Sequence, residues 1–243
     1  MTLELCEQMT FISPKKKKGK RVNDVFKAFL VEGARFTEIE QYPVIESWMV
    51  PSDVGEIKIV PFNKLNRVKD IENYYIGFYC RDRDLKSVYN NPKRYLPMFR
   101  RAKGIIGLDF SVYDDMPIVK QKAQIYDNLS FTFYYGMRNV PVIPNVRYGN
   151  DSTKAEYLNA LPKETVIAIG SYGCVRSCVE KKNFRQFLDE MLPALNPKMV
   201  VVYGAMPEDV FGKYKEKYRF IRCPAFIEYE MKGGKNDVCA KRA

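Results

Sequence analysis

The chain has 243 residues, with 40 Lys and Arg against 29 Asp and Glu, a formal net charge of +11, and 46% hydrophobic residues, a globular but basic balance. It contains no histidine, which excludes Ser-His-Asp and Cys-His catalysis, histidine-ligated metal centres and histidine-based nuclease motifs. No stretch reaches the roughly 18 to 20 consecutive apolar residues that cross a bilayer, and Glu4 and Glu7 precede the first lysine, so the expectation is a cytoplasmic protein with no membrane partner.

Residues 1–21 read as a flexible basic arm, with Lys15, Lys16, Lys17, Lys18, Lys20 and Arg21 as candidate nucleic-acid contacts. Helical spacing begins at Val22 and continues through Val25, Phe26, Phe29 and Leu30. Short β-branched or aromatic runs then recur at Tyr42–Val50 (weak), Glu56–Pro61, Tyr74–Cys80, Gly104–Phe110, Val140–Arg147, Thr165–Gly170, Met199–Gly204 and Arg219–Cys223. Most are continuously apolar, as strands buried on both faces are. Segments of helical length separate them. In Glu180–Leu195 the residues Phe184, Phe187, Leu188, Met191, Leu192 and Leu195 form one stripe, and another helix opens at Pro207. The run Phe131–Tyr135 reads either as a strand or as the end of a helix that follows Met116. Strands alternating with helices predict an α/β fold with a mostly parallel sheet, a closed or partial (β/α) barrel, with an open doubly wound sheet as the alternative. One α/β domain is expected over residues 22–230, followed by a loose basic tail over 231–243.

Parallel α/β folds gather ligand contacts where strands end and the following loops begin. Four such ends stand out. They deliver Asp109 with Asp114 and Asp115; Asn145, Arg147 and Tyr148; Ser171, Tyr172 and Gly173; and Tyr203. Asp109, Asn145 and Arg147 fall inside or at the edge of apolar runs, so each must be paired or face a polar cavity. Asp109 suits a general base or a Mg²⁺ ligand with Asp114 or Asp115 as a second oxygen donor, the one cofactor the sequence suggests. The plain alternatives are an Asp109–Arg147 ion pair and a helix cap at Asp114-Asp115. Gly170-Ser171-Tyr172-Gly173 could present backbone N–H groups to a phosphate, although it matches neither a Walker A loop nor a dinucleotide fingerprint. Cys174 becomes a nucleophile only if Arg176 lowers its pKa. The Cys174-x3-Cys178 spacing fits zinc only with distant sulfurs such as Cys223 and Cys239, and no metal site is assigned.

Between Arg81 and Lys103 eight basic residues face two acidic ones, with Arg94, Arg100 and Arg101 as candidate phosphate contacts. The 17 tyrosines often neighbour basic residues, which suits base stacking over a charged groove and equally suits the boundary of a core.

The stretch Leu108-Asp109-Phe110-Ser111-Val112-Tyr113-Asp114-Asp115-Met116-Pro117 is similar to a family from bacteria, phages and other mobile elements, domain of unknown function 4417. The same resemblance runs through Val142–Gly149, Val166–Cys174 and Val201–Pro207, within about Tyr74 to Phe226. It implies mobile-element biology and one site built from these four strand ends, and it brings no activity with it. Three functions follow as expectations. The first is binding of nucleic acid or a nucleotide at the strand ends. The second is a counter-defence or regulatory role through an interface with a host protein. The third is Mg²⁺-dependent phosphodiester or nucleotide hydrolysis, so whether the chain is an enzyme stays open.

Overall fold

A computed structural model describes residues 27–231. The basic arm, including Lys15 to Arg21, and the tail after Met231 lie outside the described residues, as does the start of the helix expected from Val22. Its remainder is a single 3-10 turn, Ala28–Leu30. Seven strands pair only in parallel: β1 (Ile59–Pro61), β2 (Tyr75–Gly77), β3 (Gly104–Ile106), β4 (Val142–Ile143), β5 (Val166–Gly170), β6 (Met199–Tyr203) and β7 (Phe220–Cys223). They form two sheets, ordered β1-β2-β3-β4 and β5-β6-β7. A lone parallel bridge between Asn145 and Ala168 carries the order from β4 to β5, through two hydrogen bonds of 2.8 Å. A doubly wound sheet reverses its strand order at a switch point. Here the order follows the chain throughout.

The register explains how these strands share one interior. Ile59 lies opposite Tyr75, Ile106 opposite Ile143, Ala168 opposite Val201, and Tyr203 opposite Cys223. Because strand side chains alternate between faces, these residues point the same way. Together with Val50, Val54 and Ile57 from the segment before β1, they pack into one cluster drawn from all seven strands. The other face, which includes Val60, Ile76, Ile105, Val142, Ile167, Val200 and Val202, packs with the helices in the larger core. The molecule is therefore a partial (β/α) barrel. No ladder closes β7 onto β1 among the described residues; the two edges meet where the Cys223 thiol lies 3.8 Å from the Ile57 carbonyl.

The connecting helices are α1 (Asp82–Asn90), α2 (Pro92–Arg101), α3 (Ile118–Gly136), α4 (Asp151–Asn159), α5 (Cys178–Leu195), α6 (Glu208–Phe211) and α7 (Phe226–Met231). The chain between β1 and β2 has two 3-10 turns instead, Phe62–Arg67 and Ile71–Asn73. Helix α5 starts where the stripe predicts. Ser177 and Glu180 form a reciprocal capping box, and Asn196 stops the helix in the left-handed region at φ 44°. No helix among the described residues is long and apolar enough to cross a membrane.

Two expectations are corrected, at Tyr42–Val50 and at Asp114-Asp115, and the open reading of Phe131–Tyr135 is resolved as the end of a helix. Tyr42–Val50 is not a strand: Pro43 makes only an isolated antiparallel bridge to Phe36, and Ser47–Met49 is a 3-10 turn. Phe131–Tyr135 belongs to α3, whose second half is buried on every side, which erases the amphipathic period. Asp114 and Asp115 do not cap that helix. They lie on an exposed turn, and Pro117 stands at the cap position without a side-chain bond.

Candidate functional site

Two loops are pinned before any functional side chain is placed. After β3, the Asn128 side chain of α3 accepts from the Phe110 N–H at 2.8 Å and donates to the Phe110 carbonyl at 3.1 Å. Asp82, in the first turn of α1, accepts from the Ser111 N–H and hydroxyl at 3.1 and 3.0 Å. After β4, the Tyr157 hydroxyl donates to the Asn145 carbonyl at 2.7 Å and accepts from the Arg147 N–H at 3.1 Å. These bonds fix the backbone on both sides of Asp109 and across Asn145 to Arg147.

The result is a buried polar chain under the C-terminal rim. Tyr79, just past β2, donates its hydroxyl to Asn145 Oδ1 at 2.9 Å. The Asn145 amide donates to Asp109 Oδ1 at 2.7 Å. Arg147 donates to the same carboxylate from Nε at 2.5 Å and from Nη2 at 3.4 Å. The Asp109 side chain is only 10% exposed and that of Arg147 27%. Burial pushes the Asp109 carboxyl above its ordinary range, and the charge and hydrogen bonds of Arg147 pull it back. The carboxylate in turn holds Arg147 firmly protonated. Burial also raises the Tyr79 hydroxyl well above 10, so it remains a neutral donor. Of the two readings of Asp109, the geometry matches the ion pair: both of its oxygens are occupied.

Tyr79 also lines an open cleft of about 420 Å³, together with Pro61 at the end of β1, Asn63 and Lys64 after it, Cys80, Arg81, Arg83 and Asp84 after β2, Tyr172 after β5, Tyr203 of β6, and Ala225, Phe226 and Ile227 after β7. The Tyr79 ring stacks on Tyr203 at 4.4 Å and 7°. Gly170 makes room for it, since a Cβ there would meet the Tyr79 ring at 2.9 Å. Gly204, at φ +121°, lets β6 end against Tyr172, whose backbone nitrogen would lie 2.7 Å from a Cβ. The Tyr203 hydroxyl accepts from the Phe226 N–H at 3.0 Å, and Arg222 ties the Gly204 carbonyl to Glu228, so the wall after β7 is fastened to β6. Tyr172 is 51% exposed, and the Arg176 guanidinium lies over its ring, 5.7 Å from the ring centre. Burial pushes the Tyr203 hydroxyl and the Cys80 thiol up to about 12, so both are neutral at ordinary pH. The charges around the cleft are thus Lys64, Arg81 and Arg83 against Asp84, whose carboxylate accepts from Asn63 Nδ2 at 3.1 Å.

The residues singled out from sequence divide clearly. Asp109, Asn145 and Arg147 converge, and Tyr172 and Tyr203 line the cleft. Ser171 is fully buried, with its hydroxyl donating to the Ala205 carbonyl at 2.5 Å, so it shapes a turn; Gly173, at φ +82°, continues that turn at the surface. Tyr148 packs on Phe187 and donates to Glu190 at 3.0 Å, which docks α5. Asp114 and Asp115 are exposed on their turn; the other carboxylate acting on Asp109 is Asp82. Cys174 does not meet the condition set for a nucleophile, because burial raises its thiol more than Arg147 and Arg176 lower it. Arg94 and Arg101 are exposed on α2, and Arg100 donates to the Arg138 carbonyl at 3.2 and 3.0 Å. No group of three His, Cys, Asp or Glu side chains among the described residues could hold a metal ion. Sequence reasoning missed Asn63, Lys64 and Cys80, just beyond strand ends, while Tyr79, Arg81 and Arg83 entered it only through the aromatic–basic pattern and the basic stretch from Arg81 and were not placed in a site.

Comparison with known proteins adds lineage. The family described as "Domain of unknown function (DUF4417)" matches residues 35–230. "Gene 1 protein" of Mycobacterium phage D29 is 26% identical over 131 residues, 54% of this chain and 48% of that protein. "Gene 1 protein" of Mycobacterium phage L5 is 24% identical over 131 residues, 54% of this chain and 57% of that protein. The chain thus spans about half the length of the curated relatives it matches. No solved structure matches it.

Proposed function

We propose, for a chain that belongs to the domain of unknown function 4417 family and has phage relatives, that the rim cleft binds a phosphate-bearing partner, a nucleotide or a nucleic acid. One observation carries the reading. An aromatic face, Tyr172, and three cationic side chains, Lys64, Arg81 and Arg83, line the same opening at the C-terminal ends of the strands. Stacking is worth about 1–3 kcal/mol per base and tolerates any base, while cations meet the phosphate. The buried Tyr79–Asn145–Asp109–Arg147 chain reaches this cleft through Tyr79 and is not itself assigned to the ligand.

Hydrolysis with Mg²⁺ fits less well, because Asp109 is committed to Asn145 and Arg147 while Asp114 and Asp115 face solvent. An interface with a host protein is favoured by a different feature: Trp48, the single tryptophan, is 61% exposed beside a shallow groove that also includes Met49, Val50 and Pro51. Titrating mononucleotides and oligonucleotides at two salt concentrations tests the binding reading. Saturable binding that weakens with salt, and falls roughly 5- to 100-fold in Tyr172→Ala, is expected. Absence of binding at low salt removes it, and recovery of a stoichiometric protein complex that Trp48→Ala abolishes would put the interface in its place.

A further inference from the structure

The cations do not stop at the edge of the cleft. Residues i and i+3 of a 3-10 helix eclipse one another. In the turn Phe62–Arg67 this places Arg67 in line with Lys64, about 6 Å further along the axis. Asn63 of the same turn donates to Asp84 of α1, which holds the two segments side by side. On α1, Lys86 follows Arg83 at i+3 on one helix face. Arg67, Arg81, Arg83 and Lys86 are all exposed. Two carboxylates lie among these cations, Asp82, which accepts from Ser111, and Asp84, which accepts from Asn63 and lies 3.6 Å from Arg83, so Lys64, Arg67, Arg81, Arg83 and Lys86 outnumber them five to two. Asp70 and Glu72 lie farther along the connection that leads back to the start of β2.

We infer that the ligand is a single-stranded polynucleotide, one base of which enters the cleft while neighbouring phosphates follow Lys64, Arg67, Arg83 and Lys86 along the outer face. This rests on the cleft reading above and narrows it. A mononucleotide in the cleft leaves Arg67 and Lys86 without a role, since neither lines it. A duplex keeps its bases paired and stacked, so it cannot offer one to Tyr172 without extruding it at a cost of a few kcal/mol.

The test uses the full chain and three fluorescent probes: a mononucleotide, a single strand of about ten nucleotides, and the corresponding duplex. Fluorescence anisotropy is read over a salt series. The single strand is expected to bind more tightly than the other two. Arg67→Glu/Lys86→Glu should weaken the single strand at least about tenfold and flatten its slope of log affinity against log salt by about 1.4, as expected when two phosphates are no longer neutralised, with mononucleotide affinity unchanged. Tyr172→Ala should weaken both. Equal binding of duplex and single strand overturns the inference. So does an Arg67→Glu/Lys86→Glu protein that holds the single strand as the parent does while the mononucleotide still binds; the cleft reading then survives alone. No binding of any probe overturns both.

Discussion

Replacing Asp109 by Asn changes one atom and tests what the buried polar chain is for. The substitution keeps an oxygen for the Asn145 amide and Arg147 Nε, which approach Oδ1 at 2.7 and 2.5 Å. It places an amide donor where Oδ2 accepts from Arg147 Nη2, donor against donor, and leaves the guanidinium without its counter-charge. Removing one member of a buried pair costs roughly 3–5 kcal/mol. The Arg147 side chain keeps 27% of its surface, so water recovers part of this, and about 2–3 kcal/mol is expected. With a urea m-value of about 2–3 kcal/mol/M, the unfolding midpoint followed by far-ultraviolet circular dichroism should fall by about 1 M. Asp109→Asn/Arg147→Gln should recover part of the loss, because the orphaned charge is gone and the sites are in contact. Below its unfolding transition, Asp109→Asn should still bind the oligonucleotide. A midpoint within about 0.2 M of the parent, together with lost binding, would make Asp109 a ligand contact and refute its role as a support.

Tyr42→Phe should leave stability unchanged or raise it by up to about 1 kcal/mol, since the Tyr42 hydroxyl is buried with no hydrogen-bond partner among the described residues; a clear drop in the urea midpoint would contradict this. Ser177→Ala should cost about 1 kcal/mol and speed hydrogen exchange in the first turn of α5, where the capping box is removed; unaltered exchange there would speak against the cap. Burial pushes the Tyr75 hydroxyl up from 10 to about 12, so the folded chain holds a proton that the unfolded chain releases. Its contribution is complete below pH 10 and is lost as pH rises through 12. Tyr75→Phe should therefore lose less stability between about pH 8 and about pH 11 than the parent, and an equal loss would show that Tyr75 titrates normally.

Much of the fold was legible because buried parallel strands are continuous apolar runs, and seven of the eight runs became strands. The eighth, at Tyr42–Val50, has the right residue types but pairs only through one antiparallel bridge to Phe36, which composition does not reveal. Asp109 and Arg147 stood out because a charge within an apolar run has few explanations, and pairing was one of them. Tyr79 drew notice only as one of several tyrosines beside a basic residue, and its place in the buried chain shows once its hydroxyl is seen on Asn145. The ends of β3 to β6 drew attention through their polar residues, whereas those of β1, β2 and β7 did not. Extending the same rule to them points to Asn63, Lys64, Cys80, Arg81 and Phe226, all of which line the cleft. Ser171 shows the opposite failure: its position is right, but a hydroxyl this small turns inward to satisfy the Ala205 carbonyl.

Among the described residues the joint between β4 and β5 is the narrowest between sequential strands, a lone bridge at Asn145 where the other neighbours share a ladder. The amide of that same residue stands between Tyr79 and Asp109. The bridge is made by the groups on either side of Asn145, the Pro144 carbonyl and the Val146 N–H, while the Asn145 side chain links Tyr79 to Asp109. Exchanging Asn145 for a residue without an amide would break the link between Tyr79 and Asp109, whereas the bridge between the two sheets, made by its neighbours' backbone, would remain.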